Sequence, residues 1–510
     1  MSQTVALRLS GITRRFGETL ANDDISLSLE RGEVLALLGE NGAGKTTLMS
    51  ILFGHYSADA GTVEIEGRKL RPGNPRAAIK AGIGMVHQHF SLAENLTVLE
   101  NVMTGTERLW LPRSRTAAAR RKLLDLAERF GLRVEPDRRL GDLSVGEQQR
   151  VEILKALYND ARILILDEPT AVLTPPEARQ LYQILRGMAR KGLSLIFISH
   201  KLHEVMEAAD RVVVLRRGRV VAERRPAQTS KDELAELMVG RRITRPVRAQ
   251  ATPGEMVIEA RNVSVRRRDA IGLRDVSFTL RAGETLGIVG VSGNGQSALG
   301  QVMSGVLAPS AGELIILGRR ITRADVPAQV RAGVGRIAED RNHEGVVGEL
   351  TLWENVTLER IGLRRFSRFG VIDRGAARAW TQEVIDAFDV RGGGPDHRTQ
   401  LLSGGNVQKL ILGRNLLAMP RVLIAAQPTR GLDEGAIAAI HSRLLEARAA
   451  GTAVLLISED LDEVINLADR ICAIVSGQLS PEIRAEDADA RRLGLMMAGD
   501  WGMEGAQNAV

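Results

Sequence analysis

The clearest indication of the fold is the nine-residue segment Gly39-Glu40-Asn41-Gly42-Ala43-Gly44-Lys45-Thr46-Thr47. Before it, the apolar run 33–38 predicts a short buried strand, and after it the apolar periodicity of 48–53 predicts a helix. A strand, the pattern G-x-x-x-x-G-K-[ST] and a helix predict a phosphate-binding loop, whose glycines let backbone N–H groups converge on phosphate oxygens. Lys45 supplies positive charge for the β- and γ-phosphates, and the Thr46 hydroxyl is placed to bind Mg²⁺. The alternative is a glycine-rich turn with a solvated lysine.

Length and composition limit the class of protein. A chain of 510 residues is too long for one hydrophobic core and predicts two or more domains. No apolar run approaches the ~18–20 residues of a membrane helix, and no signal-peptide segment is recognisable, which together predict a cytoplasmic chain. The single cysteine, Cys472, is expected to be a buried apolar residue. The net charge of +7 fits nucleic acid or anionic lipid as a partner, or an arginine-rich solvated surface.

The sequence contains two copies of one pattern. The segment EVLALLGENGAGKTT (33–47) is answered by ETLGIVGVSGNGQSA (284–298) at an offset of 251 positions. Later pairs such as Ser144 and Ser403 differ by 259, which predicts an insertion in a mostly helical stretch of the second copy. Because several motifs recur at constant offsets, we expect two tandem domains of one α/β fold.

The boundaries of these domains follow from composition. The stretch 241–255 has no apolar periodicity and contains two prolines and a glycine, so it is expected to be a linker. The expected divisions are therefore domain 1 at 1–240, the linker at 241–255, domain 2 at 256–499 and a tail at 500–510. Short apolar runs rich in branched residues, such as ARILILD and LSLIFISH, predict parallel strands covered on both faces.

Further residues of the first copy suit chemistry at the phosphate loop. Asp167 and Glu168 end the predicted strand ILILD, where one carboxylate can hold Mg²⁺ and the next can polarise an attacking water. Gln88 and His200 follow other predicted strands and can contact the metal or the γ-phosphate. Phe16 precedes the loop and can stack on adenine. Taken singly, each has a structural alternative: strand capping for the acids, a satisfied structural role for the histidine and core packing for the phenylalanine.

Two runs of the form Leu-Ser-x-Gly complete the set. They lie at 143–147 (LSVGE) and 402–406 (LSGGN), each directly before a predicted helix. A Ser-Gly-Gly turn at a helix start presents backbone N–H donors and the helix dipole to an anion. The alternative for either run is a plain helix N-cap.

These motifs, in this order and spacing, resemble the ABC ATPases over nearly the whole chain. LSGGNVQK, QPTRGLDEGA and the tandem arrangement look like the fused ATPase subunits of bacterial sugar and nucleoside importers. VHQHF, ENLTVLENVMTG and EPTAVLTP look closer to the nucleoside branch, which is served by a lipoprotein receptor. The resemblance implies that each domain has an antiparallel β subdomain, a parallel-sheet core and a helical subdomain.

The resemblance also implies how the residues act. Each nucleotide would lie between the phosphate loop of one domain and the signature run of the other. ATP and Mg²⁺ are the expected cofactors. The expected catalytic residues are Glu168, His200 and Gln88, and the expected metal ligands are Thr46, Gln88 and Asp167. ATP would be contacted by Phe16, by the phosphate loop and, from the second copy, by Ser403, Gly404, Gly405 and Asp433.

The second copy departs from the first at these chemical positions. The second copy has Gln296 in place of Lys45 and Glu339 in place of Gln88. It has Ala426, Gln427 and Glu459 in place of Asp167, Glu168 and His200, and no aromatic residue at the position of Phe16. In the first copy, the signature run carries Val145 where a glycine is expected, and Thr174 replaces the aspartate that is Asp433 in the second copy. Under head-to-tail pairing the competent parts face one another, which predicts one hydrolytic site per chain. A hypothesis for the altered site is that it still binds nucleotide and acts as a hinge.

The partners follow from the resemblance. It implies an ATPase at the cytoplasmic face of the cell membrane, working with two integral membrane permease subunits and an external solute-binding lipoprotein, without nucleic acid. The solute is expected to be a nucleoside or a simple sugar. The segments around 90–102 and 346–356 are expected either to dock on the permease or to be subdomain core. The rivals are a soluble tandem ABC protein acting on nucleic acid or the ribosome, and a DNA-repair or chromosome ATPase. The short linker and single intact site argue against the first, and the lack of cysteine clusters and long heptads against the second.

Overall fold

The computed structural model divides the chain into two compact units. It describes residues 5–87, 91–106, 116–170, 173, 175–199, 201–242, 246, 248–249, 252–267 and 270–501. The first unit comprises Met1–Ile243 together with Asp433–Gly435, and the second comprises Thr244–Leu432 and Ala436–Val510.

The described residues of the first unit form two sheets. Its strands are β1 (Val5–Phe16), β2 (Thr19–Glu30), β3 (Val34–Leu38), β4 (Ala60–Ile65), β5 (Arg68–Lys69), β6 (Ile83–Val86), β7 (Ile163–Asp167), β8 (Ser194–Ile198), β9 (Arg211–Arg216) and β10 (Arg219–Arg224). An antiparallel sheet has the order β2-β1-β4-β5, and the core sheet has the order β10-β9-β3-β8-β7-β6, parallel except at β10. Every residue of β3, β7 and β8 is buried, as expected of parallel strands covered on both faces.

Helices cover the core sheet of the first unit. They are α1 (Lys45–Phe53), α2 (Pro75–Lys80), α3 (Val98–Met103), α4 (Thr116–Phe130), α5 (Val145–Tyr158), α6 (Pro175–Arg190), α7 (Leu202–Ala208) and α8 (Lys231–Val239). Helical spacing explains why they bury one face. In α6, for example, Leu181, Leu185 and Met188 recur at helical intervals and lie in the hydrophobic core.

The second unit repeats this architecture. Its strands are β11 (Met256–Val265), β12 (Leu273–Arg281), β13 (Thr285–Val289), β14 (Ala311–Ile316), β15 (Arg319–Arg320), β16 (Val334–Ile337), β17 (Ser367–Arg368), β18 (Val371–Ile372), β19 (Val422–Ala426), β20 (Ala453–Ser458), β21 (Arg470–Val475), β22 (Gln478–Leu479) and β23 (Ile483–Arg484). Its helices are α9 (Gln296–Met303), α10 (Val326–Ala332), α11 (Leu352–Thr357), α12 (Arg374–Phe388), α13 (Gly404–Leu416), α14 (Glu434–Ala449), α15 (Leu461–Leu467) and α16 (Ala490–Met497).

The two core sheets have the same connectivity. The parallel order β9-β3-β8-β7-β6 of the first unit matches β21-β13-β20-β19-β16 of the second. The order β12-β11-β14-β15 likewise matches the first antiparallel sheet. The predicted α/β fold with a parallel-sheet core is therefore confirmed, and the internal repeat of the sequence is a repeat of structure. Cys472 is buried on β21, as expected.

The extra residues of the second copy do not lie in its long helices. Helices α4 and α12 have 15 residues each, so the insertion in this mostly helical stretch lies outside its long helix. The offset between copies rises from 251 to 254 by the Thr97–Thr351 pair and to 258 at the starts of α4 and α12. The second copy contains a π-helical turn at Arg341–Gly345 in the first interval and the β17–β18 hairpin in the second. The first-copy residues 107–115 lie outside the described part of the chain.

Some of the apolar side chains proposed for docking are buried, whereas Val347 is 45% exposed and Phe90 lies outside the described residues. The buried side chains belong to α3 and α11, which both begin with a capping box, at Thr97 and Thr351. The buried members are Val98, Leu99, Val102, Leu352, Trp353 and Val356. Of the two interpretations of these segments, the structure supports subdomain core for these side chains. Across the described residues, no helix has both the length and the apolar character required to span a membrane.

Candidate functional site

The phosphate loop connects the buried strand β3 to helix α1, as predicted. Gly44 immediately precedes the helix with a φ of 95°, a left-handed conformation that glycine adopts without strain. A Cβ atom at this position would lie 2.2 Å from the Ala21 carbonyl oxygen and 2.7 Å from Asn22 Nδ2. The Asn22 amide also donates to the Gly44 carbonyl over 3.0 Å. The sequence motif therefore requires glycine here for both conformation and space, and Asn22 of β2 supports the loop from behind.

Lys45 is drawn into the concave side of this loop. Its side chain is only 6% exposed, and Nζ donates to the carbonyl oxygens of Gly39 at 2.6 Å and Glu40 at 2.9 Å. Burial lowers the pKa of this amine, while the nearby carboxylates of Glu168 and Asp167 act in the opposite direction. The solvated-lysine alternative is therefore wrong, because the ammonium group lies inside the loop where phosphate oxygens would bind.

Asp167 lies at the carboxyl end of β7, next to the phosphate loop. It accepts a hydrogen bond from the Thr46 side chain. Burial and the adjacent Glu168 carboxylate raise the pKa of Asp167 to about 6, against the pull of Lys45 and Thr46. The structure thus brings the pair Lys45 and Thr46 close to the pair Asp167 and Glu168, more than a hundred positions later in the sequence.

This donor set fits Mg²⁺ and a nucleotide phosphate chain. A hydroxyl and a carboxylate in contact are hard oxygen ligands of the kind that Mg²⁺ prefers. Burial and the adjacent Glu168 carboxylate raise the pKa of Asp167, and a divalent cation bound there would favour the ionised form. Thr46 and Asp167 would hold the metal, and the loop amides with Lys45 would hold the phosphates.

The raised pKa makes a testable prediction for Asp167→Asn. Between pH 4 and 6 the folded protein holds the Asp167 proton more tightly than the unfolded chain, so the stability it contributes is lost as pH rises through about 6. A shift from 3.8 to about 6 corresponds to about 3 kcal/mol. Without nucleotide, Asp167→Asn should therefore unfold at a higher temperature than wild type at pH 7.5, with the difference shrinking at pH 5.

Thermal unfolding at both pH values checks this prediction, with the exposed Asp125→Asn as the matched control. Added MgATP should stabilise wild type but not Asp167→Asn. An Asp167→Asn variant that is less stable than wild type at pH 7.5 would contradict the assigned electrostatics.

Phe16 is not a core residue. It ends β1 with 40% of its surface exposed and makes an edge-on contact with Tyr56, which is 44% exposed, at a ring separation of 5.4 Å. The Arg14 guanidinium lies 4.9 Å from the Phe16 ring centre. In a chain with only 3% aromatic residues, two exposed rings in contact fit a surface on which a base can stack. Sequence analysis singled out Phe16 but missed Tyr56, which no motif marks.

The second phosphate loop has the same backbone form but different chemistry. Gln296 replaces Lys45 and donates from Nε2 to the Val291 carbonyl at 2.8 Å, so a neutral amide now holds the loop. Ser297, the counterpart of Thr46, donates from Oγ to Glu339 Oε2 at 2.6 Å. The loop therefore lacks the lysine charge and has a carboxylate hydrogen-bonded to its hydroxyl, which disfavours phosphate oxygens.

The two signature runs differ in a way that the sequence did not disclose. In the first, the Ser144 N–H donates to Glu147 Oε2 at 2.8 Å, and the Glu147 N–H donates to Ser144 Oγ at 3.3 Å. This capping box places a carboxylate on the N-terminus of α5. In the second, Ser403 makes no such cap, and the neutral Asn406 donates from Nδ2 to Ser403 Oγ at 2.8 Å. The N-terminus of α13 therefore remains suited to an anion.

Some predicted site residues lie outside the described part of the chain. These are Gln88, His200 and Thr174. Their surroundings are described in part. Glu152 of α5 accepts from the Ser91 N–H just after Gln88, and Ser199, next to His200, donates to the buried Glu204. Asp433 is grouped with the first unit.

Comparison with known proteins gives consistent matches over the whole chain. The ABC transporter family matches residues 22–171 and 273–430. The glucose import ATP-binding protein TsgD13 of Haloferax volcanii is 45% identical, covering 98% of this chain and 96% of the relative. The nucleoside import ATP-binding protein NupA of Lactococcus lactis is 42% identical, covering 98% and 99%. A further structural match is the archaeal ribosome recycling factor aABCE1, in a complex with the ribosomal stalk protein aP1. The alignment covers 96% of this chain and 92% of the aABCE1 chain, with a TM-score of 0.63. Its 16% identity shows likeness of fold alone.

Proposed function

The chain belongs to the ABC transporter family, and from this premise we propose that it hydrolyses ATP to drive the import of a nucleoside or a simple sugar. The observation that carries the hydrolytic part is the contrast between the two loops. Lys45, Thr46, Asp167 and Glu168 lie together in the first copy, whereas in the second the corresponding hydroxyl bonds to Glu339.

We propose that one hydrolytic site forms from the phosphate loop of the first copy and the signature run 402–406 of the second. Support comes from the helix N-termini. In the run with glycines at 404 and 405, Ser403 makes no side-chain cap and its partner Asn406 is neutral, whereas the run with Val145 is capped by the Glu147 carboxylate. Asp433 would complete the hydrolytic site. The domain divisions proposed from the sequence, 1–240 and 256–499, assign one loop and one signature run to each domain.

The residues of the proposed site have distinct tasks. Lys45 and the loop amides bind the β- and γ-phosphates, and Phe16 with Tyr56 stacks on the base. Thr46, Gln88 and Asp167 would hold Mg²⁺, whose positive charge would offset the negative charge that develops on the phosphate oxygens. Glu168 orients the attacking water and accepts its proton, while Gln88 and His200 contact the metal and the γ-phosphate. Hydrolysis removes the γ-phosphate that favours the closed state of the two halves, which links chemistry to a conformational change.

The solute and partners rest on the relatives. One is described as importing glucose and another as importing nucleosides, so both classes are candidates, and the motifs around Gln88 favour nucleosides. We propose that the chain works at the cytoplasmic face of the membrane with two permease subunits and an external solute-binding lipoprotein. Nucleic acid is not expected as a partner.

Reconstitution tests this proposal. The chain should co-purify with two permease subunits, and in proteoliposomes its ATP turnover should rise when the receptor is loaded with a nucleoside. Guanosine, ribose and glucose, tested in parallel, separate the nucleoside from the sugar assignment. Turnover that responds to ribosomes or RNA but not to permease and loaded receptor would contradict the importer assignment and favour the soluble alternative.

A further inference from the structure

A half-buried arginine of the second copy touches the second signature run. Arg341 follows Glu339 by two positions and begins the π-helical turn of that unit. A Cβ atom on Gly404 would lie 2.5 Å from Arg341 Nη2, so the guanidinium occupies the space that a side chain at 404 would need. Arg341 Nη1 also donates to the Arg430 carbonyl at 2.9 Å. One side chain thus contacts both the signature run and the segment leading to Asp433.

The loop that carries Glu339 and Arg341 also contacts the second phosphate loop. Ser297 donates to Glu339 Oε2 at 2.6 Å, and Glu339 Oε1 lies 3.8 Å from Arg430 Nη1. A continuous series of contacts inside the second unit therefore joins Ser297, Glu339, Arg430, Arg341 and Gly404. It begins at the phosphate loop that has lost its charge and ends at the signature run that has kept its glycines.

The first copy explains what this series replaces. The counterparts of Ser297 and Glu339 are Thr46 and Gln88, both proposed as Mg²⁺ ligands. In the second copy the corresponding pair is joined by a direct hydrogen bond, so no metal is needed to connect the loop at 339–341 to the phosphate loop. The Gly404 counterpart is Val145, whose side chain is 41% exposed. Glycine at 404 is thus explained by the arginine packed over it.

We propose that the second phosphate loop has become a structural anchor that, through Glu339 and Arg341, positions Ser403-Gly404-Gly405 and the 430–433 segment for the hydrolytic site. Arg341 is a positioning residue, because it acts through the signature run rather than on ATP. This inference rests on the proposed function, since it assumes that the second signature run serves the Lys45 loop.

The contacts of Arg341 favour a positioning role over simple packing. Its planar guanidinium donates to the Arg430 carbonyl while it lies across Gly404. Partial burial and the neighbouring Arg430 guanidinium lower the pKa of Arg341, so the cation is held here against an electrostatic cost. Through these contacts the guanidinium of Arg341 fixes the signature run relative to the segment leading to Asp433, and a preorganised phosphate site requires such fixed positions.

Steady-state kinetics of the full chain test the inference. Arg341→Ala should lower kcat about tenfold while the KM for MgATP changes little, because the Lys45 loop is untouched. Arg341→Lys keeps the charge but lacks the planar guanidinium, so it should show a similar loss with less risk to folding. Arg364→Ala, an exposed arginine of the same unit, is the matched control and should behave as wild type.

Double variants provide the sharper readout. Gly404→Ala should displace Arg341, so Gly404→Ala in the Arg341→Ala background should cost little more than either change alone. Glu339→Ala and Arg341→Ala should likewise be less than additive. Independent, multiplicative losses, or an unchanged kcat in both Arg341 variants, would overturn the inference. Lys45→Ala, measured alongside, separates the two levels. If it keeps full turnover the proposed function fails, whereas if only the Arg341 predictions fail the anchor alone is wrong.

Discussion

Glu168→Gln should lower ATP turnover by a factor of ~10²–10⁴, whereas Gln427→Glu should leave turnover near the wild-type value. The two positions are matched in structure. Glu168 has a φ of 46° and Gln427 a φ of 49°, and their N–H groups donate to Ile198 and Ile457 carbonyls at 3.1 and 2.8 Å. A carboxylate at 427 nevertheless gains nothing, because Ala426 offers no metal ligand and Gln296 carries no charge.

The measurement is ATPase activity of purified chains together with ATP binding. Glu168→Gln should still bind ATP, because the exchange keeps the shape of the side chain and removes only the group that accepts the proton. Comparable unfolding temperatures for the two variants would exclude a folding effect. Full turnover by Glu168→Gln, or a loss caused by Gln427→Glu, would contradict the assignment of the hydrolytic site.

Lys45→Ala should cost ~10²–10³ in turnover and also weaken ATP binding, since it removes the buried ammonium group aimed at the phosphates. Its matched counterpart is Gln296→Ala, which removes an amide that only holds its own loop. We therefore expect Gln296→Ala to leave ATP binding at the Lys45 loop unchanged and to lower turnover far less than Lys45→Ala does.

Gln296→Lys extends this comparison. Restoring the lysine alone should not create a second hydrolytic site, because the Ser297–Glu339 hydrogen bond remains at the metal position and Ala426 and Gln427 replace the carboxylates. Phosphate release per chain and ATP binding measure both effects. A second hydrolytic site created by this one exchange would show that the altered copy lacks only its charge.

Local chemistry explains what could be predicted from the sequence. The glycine pattern around Gly44 encodes a backbone conformation and a close approach, and the apolar runs at β3, β7 and β8 encode burial on both faces, so both could be predicted. The doubled architecture followed from constant offsets. The place of Asp167 at the end of a strand could be predicted from the apolar run before it, and the structure shows it there in contact with Thr46.

Other features depend on contacts between segments that are distant in sequence. No motif places Tyr56 against Phe16 or Arg341 over Gly404, because each contact depends on tertiary packing. Ser144 forms a capping box with Glu147, whereas Ser403 accepts a hydrogen bond from Asn406, the residue at the equivalent position. The sequence did not reveal this difference, because both runs look like ordinary helix N-caps.

We propose that the competent parts of both copies meet at one site, and a structure of Glu168→Gln with MgATP in the assembled transporter would show whether they do. We expect Ser403 and the N-terminus of α13 to contact the γ-phosphate held by Lys45. Contact of that γ-phosphate with Ser144 instead, whether from the same chain or from a second copy, would contradict the proposed site.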